Sequence, residues 1–393
     1  MKLLRIGLTA VVVAVVSAVA TAASAPGMAL GTTGGGNAAP VYPKNNAELA
    51  KYLSDASTRV IVLNKAFDFR NTEGKKTEQG CRPAFYAQCE AKKNGYKAQE
   101  SLLGPNNACD GKRLPVTYDV AGTKPLKVLG NKTLRGEGTK GVIIGKGLHI
   151  QGHNVIIQNV HITNLNPHMV WGGDGITMTG ASNGQPLERI WIDHVKISLV
   201  GRQMIVVNSG GAKSLTISNS EFDGRTPYSA SCDGRHYWTF LMYGKDVKVT
   251  MMNNYIHHTS GRSPKFGGGA GSVVVAVHAI NNYWYDNSGH SFDVSETAYV
   301  LIEGNYFDKT ALPLTKDSKG AAMVPTGNNQ NLCQANLGRK CAQNYVFNSG
   351  SLVSIKENDA ISRVKNVATR VAPRVPKVLS TVSSNFGVGA FTP

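Results

Sequence analysis

Charged residues interrupt three otherwise apolar or glycine-rich segments of the sequence. Asp174 lies in VWGGDGIT, Arg202 in VGRQMIV, and Arg262 with Lys265 in HHTSGRSPKFGG. A guanidinium that is buried without a partner is very costly, so Arg202 must either point outward or meet a carboxylate. Taken singly, each residue is explained by a surface salt bridge. Taken together, they form a set that could stabilise negative charge developing in a reaction.

Other motifs with known chemistry fail in their context. The run Gly136–Gly141 matches G-x-G-x-x-G, but the strand-like VIIGKGLHI follows it, so it predicts a turn. The cluster Gly267–Gly271 has no following Lys-Ser/Thr and predicts a loop. Nucleophile-elbow, H-E-x-x-H and EF-hand patterns are absent. His257 and His258 are adjacent, and adjacent strand residues face opposite ways, so they are not expected to bind a metal together.

Short β-branched runs, each ending in a small or amide residue, recur between about residues 128 and 310. Six of them are VIIQNVHI, IWIDHVKI, LTISNSEF, VTMMNNYI, VHAINNYW and VLIEGNYF. Such recurrence is typical of a solenoid in which each run is one strand of a repeating coil. Alignment of the runs places six residues at one equivalent position: Asn159, His194, Asn219, Asn254, Asn282 and Asn305.

An asparagine at the same point of successive coils has a physical reason. A tight bend between parallel strands leaves backbone groups unpaired, and a stacked side-chain amide satisfies them while accepting left-handed geometry. A sandwich or barrel would show tighter spacing, about 8–12 residues, with hairpin turns. The sequence therefore predicts an all-β fold, a right-handed parallel β-helix with an asparagine ladder and long loops that form a cleft.

The coils are flanked by segments of different character. Residues 45–56 (NNAELAKYLSDA) predict a short helix, and residues 70–115 a long polar loop that holds three cysteines. Loops of that length are usually functional. We expect residues 311–393 to pack along the coils as an irregular extension, so that 26–393 form a single domain.

The first 25 residues predict a secretory signal peptide. Lys2 and Arg5 precede an apolar run that ends in the small residues Ala23-Ser24-Ala25. The run is shorter than a membrane span, and no later segment is long and apolar enough to be one. We therefore expect a secreted, extracellular protein without a membrane anchor.

Six cysteines, an even number in an exported chain, predict disulfide bonds. Six cysteines allow 15 pairings, and spacing alone favours only Cys333 with Cys341. No C-x2-C pair occurs, which argues against a zinc site.

The formal net charge of +17 predicts an acidic partner. The sequence has no run of five basic residues and no recognisable nucleic-acid motif, which weakens nucleic acid and anionic membranes as partners. An acidic polysaccharide remains the natural partner, and we expect the protein to bind it as a monomer.

The order VWGGDGIT, WIDHVKIS, VGRQMIV, DGRTPYSASCDGRHYW and SGRSPK resembles the pectin lyase branch of the pectate lyase family. The resemblance covers about residues 30–350. It implies a parallel β-helix and cleavage of methyl-esterified galacturonan, the main chain of pectin, by β-elimination.

The resemblance also implies roles for the charged residues. Arg262 matches the catalytic base, and Lys265 a residue that contacts the substrate. Asp174 matches a carboxylate that ligates calcium in pectate lyases, whereas Arg202 resembles the pectin lyase arginine whose cationic group takes the place of that calcium. A guanidinium beside Asp174 would satisfy the carboxylate and leave no room for a dication, so no metal and no cofactor are expected.

Aromatic side chains are expected to line the cleft, since pyranose faces are apolar. Trp171 and Trp238 match cleft tryptophans of the family, and Tyr237 and Arg235 beside Trp238 are further candidates for substrate binding. The family also has tryptophans in the cysteine-rich loop. Here that loop offers Phe85, Tyr86 and Tyr96 instead.

The resemblance further implies three disulfides: Cys81–Cys109, Cys89–Cys232 and Cys333–Cys341. Asn131 lies in the standard sequon Asn131-Lys-Thr133 and is a candidate for N-glycosylation.

Two other functions remain open from the sequence. A calcium-dependent pectate lyase would share the fold, although Arg202 argues against it. A non-catalytic, polysaccharide-binding β-helix would keep the coils but would not need Asp174, Arg202 and Arg262 together. Hydrolysis would require two carboxylates that flank the bond, and Asp193 in WIDH is expected to be structural.

Overall fold

Each β-branched run forms a strand that pairs in parallel with the equivalent run one coil later. The computed structural model describes residues 24–268, 273–369 and 386–391. Within these residues the coils stack into three parallel sheets, so the predicted parallel β-helix is confirmed. The predicted signal peptide, apart from Ser24 and Ala25, lies outside the described residues.

The strands of each sheet follow one another coil by coil. Sheet 1 comprises β1 (Pro40–Val41), β2 (Arg59–Leu63), β8 (Lys132–Gly136), β11 (Val155–Gln158), β14 (Ile190–Asp193), β17 (Leu215–Ser218), β20 (Val247–Met252), β23 (Val275–Ile280), β25 (Ala298–Glu303) and β27 (Ala321–Met323). Sheet 2 comprises β3 (Ala66–Asp68), β9 (Val142–Ile144), β12 (His161–Leu165), β15 (Lys196–Val200), β18 (Glu221–Asp223), β21 (Tyr255–His257), the first half of β24 (Tyr283–Val294), β26 (Tyr306–Leu314) and β28 (Tyr345–Phe347). Sheet 3 comprises β7 (Leu126–Val128), β10 (Leu148–Ile150), β13 (Ile176–Met178), β16 (Ile205–Val207), β19 (Phe240–Met242), β22 (Lys265–Phe266) and the second half of β24.

Among the described residues, four α-helices and a small antiparallel sheet lie outside the coils. The helices are α1 (Asn46–Ser54), α2 (Ala87–Lys92), α3 (Gln330–Leu337) and α4 (Glu357–Ala368). The antiparallel sheet comprises β4 (Lys75–Arg82), β5 (Ser101–Leu102) and β6 (Lys112–Asp119). Short 3₁₀ helices are Gly27–Ala29, Ala84–Tyr86, Pro105–Asn107, Val120–Thr123 and Gly327–Asn329. No helix among the described residues is long and apolar enough to cross a lipid bilayer.

The turn from sheet 1 to sheet 2 contains two stacked rows of residues rather than the one predicted. Its first position has positive φ and holds, coil by coil, Asn159, His194, Asn219, Asn253, Asn281 and Gly304. In the later coils its second position holds the asparagine ladder of Asn254, Asn282, Asn305 and Asn344, of which the first three are buried.

The predicted alignment was therefore wrong by one residue for Asn159, His194 and Asn219. Both turn positions favour asparagine, one for its tolerance of left-handed geometry and one for its hydrogen bonds, and NN pairs hide the difference. In the ladder, Asn282 Oδ1 accepts from the Asn254 backbone N–H and Nδ2 at 3.0 and 2.9 Å, and the motif repeats at Asn305.

Aliphatic side chains stack in rows inside the coils. One such row is Val155, Ile190, Leu215, Val249, Val277 and Val300, and all six are fully buried. Each coil thus covers the apolar surface of the one before it, which gives the long, narrow core of a solenoid.

The parallel coils extend beyond the predicted range of 128–310. β1, β2 and β3 precede it, and β27 and β28 follow it. α1 lies within the predicted helix 45–56, with Asn45 as its N-cap and with Leu49 and Leu53 buried against the first coils. In place of a polar loop, residues 70–115 contain β4, α2, β5 and the first part of β6. We call this segment the N-terminal wall. β4 is mostly polar and exposed, so it lacks the apolar alternation that signals a strand. β6 does alternate, with Leu114, Val116 and Tyr118 packed in a small apolar cluster beside Met169.

All six cysteines form disulfide bonds. The bonds are Cys81–Cys109, Cys89–Cys232 and Cys333–Cys341, as the family resemblance implied. Cys89–Cys232 ties the N-terminal wall to a loop of the coils. α4 packs on the outside of sheet 1 through Ile361 and Val364.

The ladder gives a direct test of the corrected register. Asn282→Leu should lower the free energy of unfolding by about 2–5 kcal/mol, because the Asn254 amide groups would be buried without an acceptor. The measurement is the midpoint of urea unfolding, together with Tm. Asn253→Gly, at the left-handed position of the preceding coil, should stay within about 1 kcal/mol of the parent. Equal losses in the two variants would contradict the two-row assignment.

Candidate active site

The loops that lead from sheet 2 to sheet 3 carry the predicted site residues. Asp174 precedes β13, Arg202 precedes β16, Trp238 precedes β19, and Arg262 precedes β22. These are four consecutive coils. The three charged residues were expected on successive coils, but the coil that carries Trp238 lies between those of Arg202 and Arg262.

The strand pairings of sheet 3 set the register of these loops. Counted back from the paired strand residues, one loop position recurs in five coils and holds Asp174, Gln203, Trp238, Arg262 and His290. Arg202 lies one residue before this position. Stacking in register therefore brings together side chains that are far apart in the sequence.

Both arginines of the cleft lie against an indole ring. Arg202 Cζ is 3.8 Å from the Trp171 ring centroid, and Arg262 Cζ is 4.7 Å from that of Trp238. Trp171 is 51% exposed, which excludes core packing as its role. A ring face attracts a cation and holds it in place without neutralising its charge.

Asp174 accepts a hydrogen bond from the Gln203 backbone N–H at 2.8 Å. Burial raises the pKa of Asp174, while that hydrogen bond and the charge of Arg202 oppose the rise. The described ion pairs do not include one between Asp174 and Arg202, so the expected direct pairing is replaced by a longer-range attraction. Arg202 instead directs its guanidinium at Trp171.

The two guanidinium groups are poorly solvated and close enough to repel. Burial lowers the pKa of Arg202 and that of Arg262, and the charge of Arg262 lowers the pKa of Arg202 further. Arg202 Nε and Arg262 Nη1 are buried and have no hydrogen-bond partner among the described residues. Buried donors of this kind are ready to bind an acceptor group of a ligand.

Tyr237 lies directly beside Arg262. Its hydroxyl interacts with the Arg262 guanidinium, and its ring packs edge-on against Trp238, with centroids 4.8 Å apart. A Cβ atom at Gly261 would stand 2.4 Å from the Tyr237 ring, so only glycine permits this approach. Tyr237, which was predicted to bind substrate, thus lies beside the charged cluster.

Sheet 3 provides the floor of the groove below the loops. Its outward-facing row, read coil by coil, is Lys127, His149, Thr177, Val206, Leu241, Lys265 and Asp293. Lys265 Nζ forms an ion pair with Asp293. Next to the floor, Asp174, Arg202, Trp171 and Thr177 line a cavity of about 220 Å³.

Arg235, which was predicted to bind substrate, is held by an ion pair in the structure. Its Nη2 pairs with Asp286 Oδ1 at 2.8 Å, and Asp286 also lies 3.3 Å from His258 Nε2. Arg235 thus fastens its loop to the coil two turns later.

Gln99, which sequence reasoning did not single out, connects the N-terminal wall to the cleft. Its Nε2 donates to the carbonyls of Pro167 and Gly201, both at 2.9 Å, and its Oε1 accepts from Trp238 Nε1 at 3.0 Å. One buried amide therefore contacts three successive coil loops. No local motif marks a glutamine inside the polar segment KAQES.

The oxygen donors of the cleft do not suit calcium. Ca²⁺ takes about six to eight oxygen ligands, usually from several carboxylates. Among the described residues that line the cavity, Asp174 supplies the one carboxylate, and the Arg202 cation lies beside it.

A second group of metal-ligating residues lies on sheet 2. Glu221, Asp223 and His257 place one ligand atom each within 4.8 Å of one another. Lys196 Nζ lies 2.8 Å from Glu221, and Arg225 Nη2 lies 2.6 Å from Asp223, so cations of the chain already balance the carboxylates.

A groove along one sheet of a parallel β-helix, with guanidinium–indole pairs beside a carboxylate, is typical of a protein that binds an extended polar ligand. Comparison with known proteins agrees with this class of protein. The family described as Pectate lyase matches residues 116–349, more than half of the chain, and the chain belongs to that family.

Curated relatives are highly similar over most of the chain. "Probable pectin lyase F-2" of Aspergillus terreus is 45% identical over 92% of this chain and 73% of its own length. "Pectin lyase B" of Emericella nidulans is 44% identical over 95% of each chain.

Among solved structures, a pectate lyase described for its substrate specificity and anti β-elimination mechanism has a TM-score of 0.55 at 16% identity, covering 94% of this chain and 98% of its own. A pectate lyase of Paenibacillus has a TM-score of 0.53 at 14% identity, covering 94% and 96%. These structures support the fold alone.

Gln99 provides a test of how the wall holds the cleft. Gln99→Leu should lower Tm by several degrees and shift tryptophan emission, because two buried carbonyls and the Trp238 N–H would lose their partner. Gln79→Leu, an exposed glutamine on the same wall, is the matched control and should change neither. Unchanged emission in Gln99→Leu would contradict the role assigned to this amide.

Proposed function

We propose that the chain is a secreted pectin lyase that cleaves α-1,4-linked, methyl-esterified galacturonan by β-elimination, without calcium and within the polymer chain. The observation that carries the proposal is the Arg202 guanidinium, which lies in the cleft near Asp174 and against Trp171. Relatives at 44–45% identity that are named pectin lyase support it. An open groove along sheet 3 suits endo cleavage of a long chain.

The reaction requires a base at C5 of a galacturonate unit. Removal of the C5 proton leaves an electron pair that forms the C4–C5 double bond as the bond from C4 to the glycosidic oxygen breaks, and that oxygen then takes up a proton. A methyl ester carries no carboxylate charge to resist carbanion formation, so cationic side chains suffice to stabilise the enolate-like intermediate. Arg262, Arg202 and Lys265 are the candidates.

Arg262 is the proposed base. Arginine is normally protonated at all accessible pH values, which makes it an unusual base. Burial lowers the pKa of Arg262, whereas Tyr237 and Asp293 act in the opposite direction. A second possible role is electrostatic, in which the Arg262 cation stabilises the intermediate while another group takes the proton. Either role requires its guanidinium at the reacting carbon.

The proposed enzyme assigns roles to the remaining residues of the cleft and implies export from the cell. Trp171, Trp238 and Tyr237 would stack on or contact sugar rings, and Asp174 would orient the cationic cluster. Secretion agrees with the apolar N-terminal run and with three disulfides. Asn131 is exposed, which a glycosylation site requires. A monomeric state belongs to the proposal as well.

The central prediction concerns substrate and chelation. The purified protein with excess chelator should act on highly methylated pectin, and the absorbance of the conjugated unsaturated product should rise. Arg262→Ala should lower kcat by at least about 100- to 1,000-fold, because the group at the reacting carbon is lost. Activity on polygalacturonate alone, and only with added calcium, would identify a pectate lyase.

A second arginine variant tests whether the loss of kcat in Arg262→Ala follows from the position of Arg262 or from the removal of any positive charge. Arg225→Ala removes a cation that is 61% exposed and pairs with Asp223 on sheet 2. This variant should keep kcat and KM within about twofold of the parent. No product from either polymer with a folded parent protein would favour the polysaccharide-binding alternative.

The basic surface predicts a dependence on salt that differs between substrates. With partly de-esterified pectin, KM should rise several-fold between about 0.01 and 0.15 M salt, as the Debye length falls from about 30 to about 8 Å. Fully esterified pectin is neutral and serves as the control, with KM nearly constant. The same KM at both salt concentrations for both polymers would rule out long-range attraction.

A further inference from the structure

We propose that His290 is a positioning residue that holds Arg262 in its active conformation, and that only its neutral imidazole can do so. The proposal rests on the proposed function, in which Arg262 acts at the reacting carbon. His290 itself contacts the backbone of Arg262 and need not touch substrate.

The backbone of Arg262 has an unusual conformation. Its φ is +45°, in the left-handed region that side chains other than glycine and asparagine rarely adopt. Conformations of this kind persist only where the surroundings impose them. Two contacts do so here: the Arg262 carbonyl accepts from the Phe240 N–H at 2.7 Å, and the Arg262 N–H donates to His290 Nε2 at 3.0 Å.

The second contact is specific to a neutral imidazole. Nε2 can accept the Arg262 N–H only while it carries no proton, so the proton of the neutral ring lies on Nδ1. At the equivalent loop position two coils earlier, the Gln203 N–H donates to Asp174. In both loops, then, a side chain of an adjacent coil accepts a backbone N–H beside a cleft residue. The His290 ring also packs edge-on against Tyr237, with centroids 5.6 Å apart.

The surroundings of His290 favour the neutral ring. Burial lowers its pKa below the ordinary value of 6.5, and the cations Lys265 and Arg262 lower it further. Asp293 and Asp317 act in the opposite direction. Tyr237 is a further titratable group against the ring, and burial raises its pKa, so it stays uncharged.

A fall in pH should therefore break the contact between His290 and Arg262. As the pH falls through the lowered pKa, His290 gains a proton, both ring nitrogens become donors, and the Arg262 N–H loses its acceptor. The new cation also repels the Arg262 guanidinium. Because the folded protein favours the neutral imidazole, His290 becomes protonated only below its lowered pKa. The contact that holds Arg262 is then lost, and kcat should fall at those pH values.

The test compares two substitutions across pH on highly methylated pectin. His290→Ala should lower kcat about 10- to 100-fold with KM changed less than about threefold, because the transition state loses more than the bound substrate does. His290→Gln can accept the same N–H through Oε1 and cannot titrate. It should recover most of kcat and shift the acid limb of kcat to lower pH.

The control is His161→Gln. His161 lies on sheet 2, away from the cleft, and burial lowers its pKa to about 4. This variant should keep the parent kcat and acid limb. Full kcat in a folded His290→Ala variant, an unmoved acid limb in His290→Gln, or failure of Gln to rescue would each overturn the proposal. If His290→Ala does not fold, the Gln variant decides through its acid limb.

A second measurement does not depend on catalysis. ¹⁵N NMR of the histidine side chains should show His290 with an unprotonated, hydrogen-bonded Nε2 and a pKa below 6.5. A proton on Nε2 at neutral pH would overturn the proposal even in an active enzyme. A parent protein inactive on pectin, but with the expected His290 tautomer, would refute the proposed function and leave the contact with Arg262 established.

Discussion

From Asn159 to Asn305, each coil passes from sheet 1 to sheet 2 through a turn of two residues, the first in left-handed conformation and the second buried. At the buried position, Asn254, Asn282 and Asn305 donate to and accept from the coils on either side, so a coil displaced by one residue would leave several amide groups unpaired. This penalty keeps the coils in register. Because stacked strands lie about 4.8 Å apart, the loops that precede sheet 3 are held at that spacing too.

The regular stack of coils holds together two cationic side chains that repel each other and would move apart if they were free to do so. Arg202 and Arg262 are poorly solvated cations that repel, and each has a buried nitrogen without a partner among the described residues. Indole faces offset part of the cost, and the carboxylates of Asp174, near Arg202, and Asp293, near Arg262, offset another part. The coil stack supplies the rest, since its core does not depend on these side chains. Strain is thereby concentrated where a polar ligand can relieve it.

The sequence predicted the repeating elements better than their alignment. The β-branched runs, the helix near Asn45 and the charged cluster were all identified, yet the ladder was shifted by one residue in three coils. Arg262 and His290 are separated by 28 residues, the same interval that separates Asn254 from Asn282. Equal intervals in a solenoid mean equivalent positions, so the repeat could have pointed to His290.

The β-helix, the set of charged residues in the cleft and, through the family resemblance, the three disulfides were all predictable from the sequence. These depend on repeating patterns and on residue types, which are local properties. Only the tertiary structure decided which way each side chain points. It turned Arg235 toward Asp286, separated Asp174 from a direct pair with Arg202, and brought Gln99 from the N-terminal wall to Trp238. Those outcomes depend on contacts between loops of different coils, and no spacing within one segment encodes them.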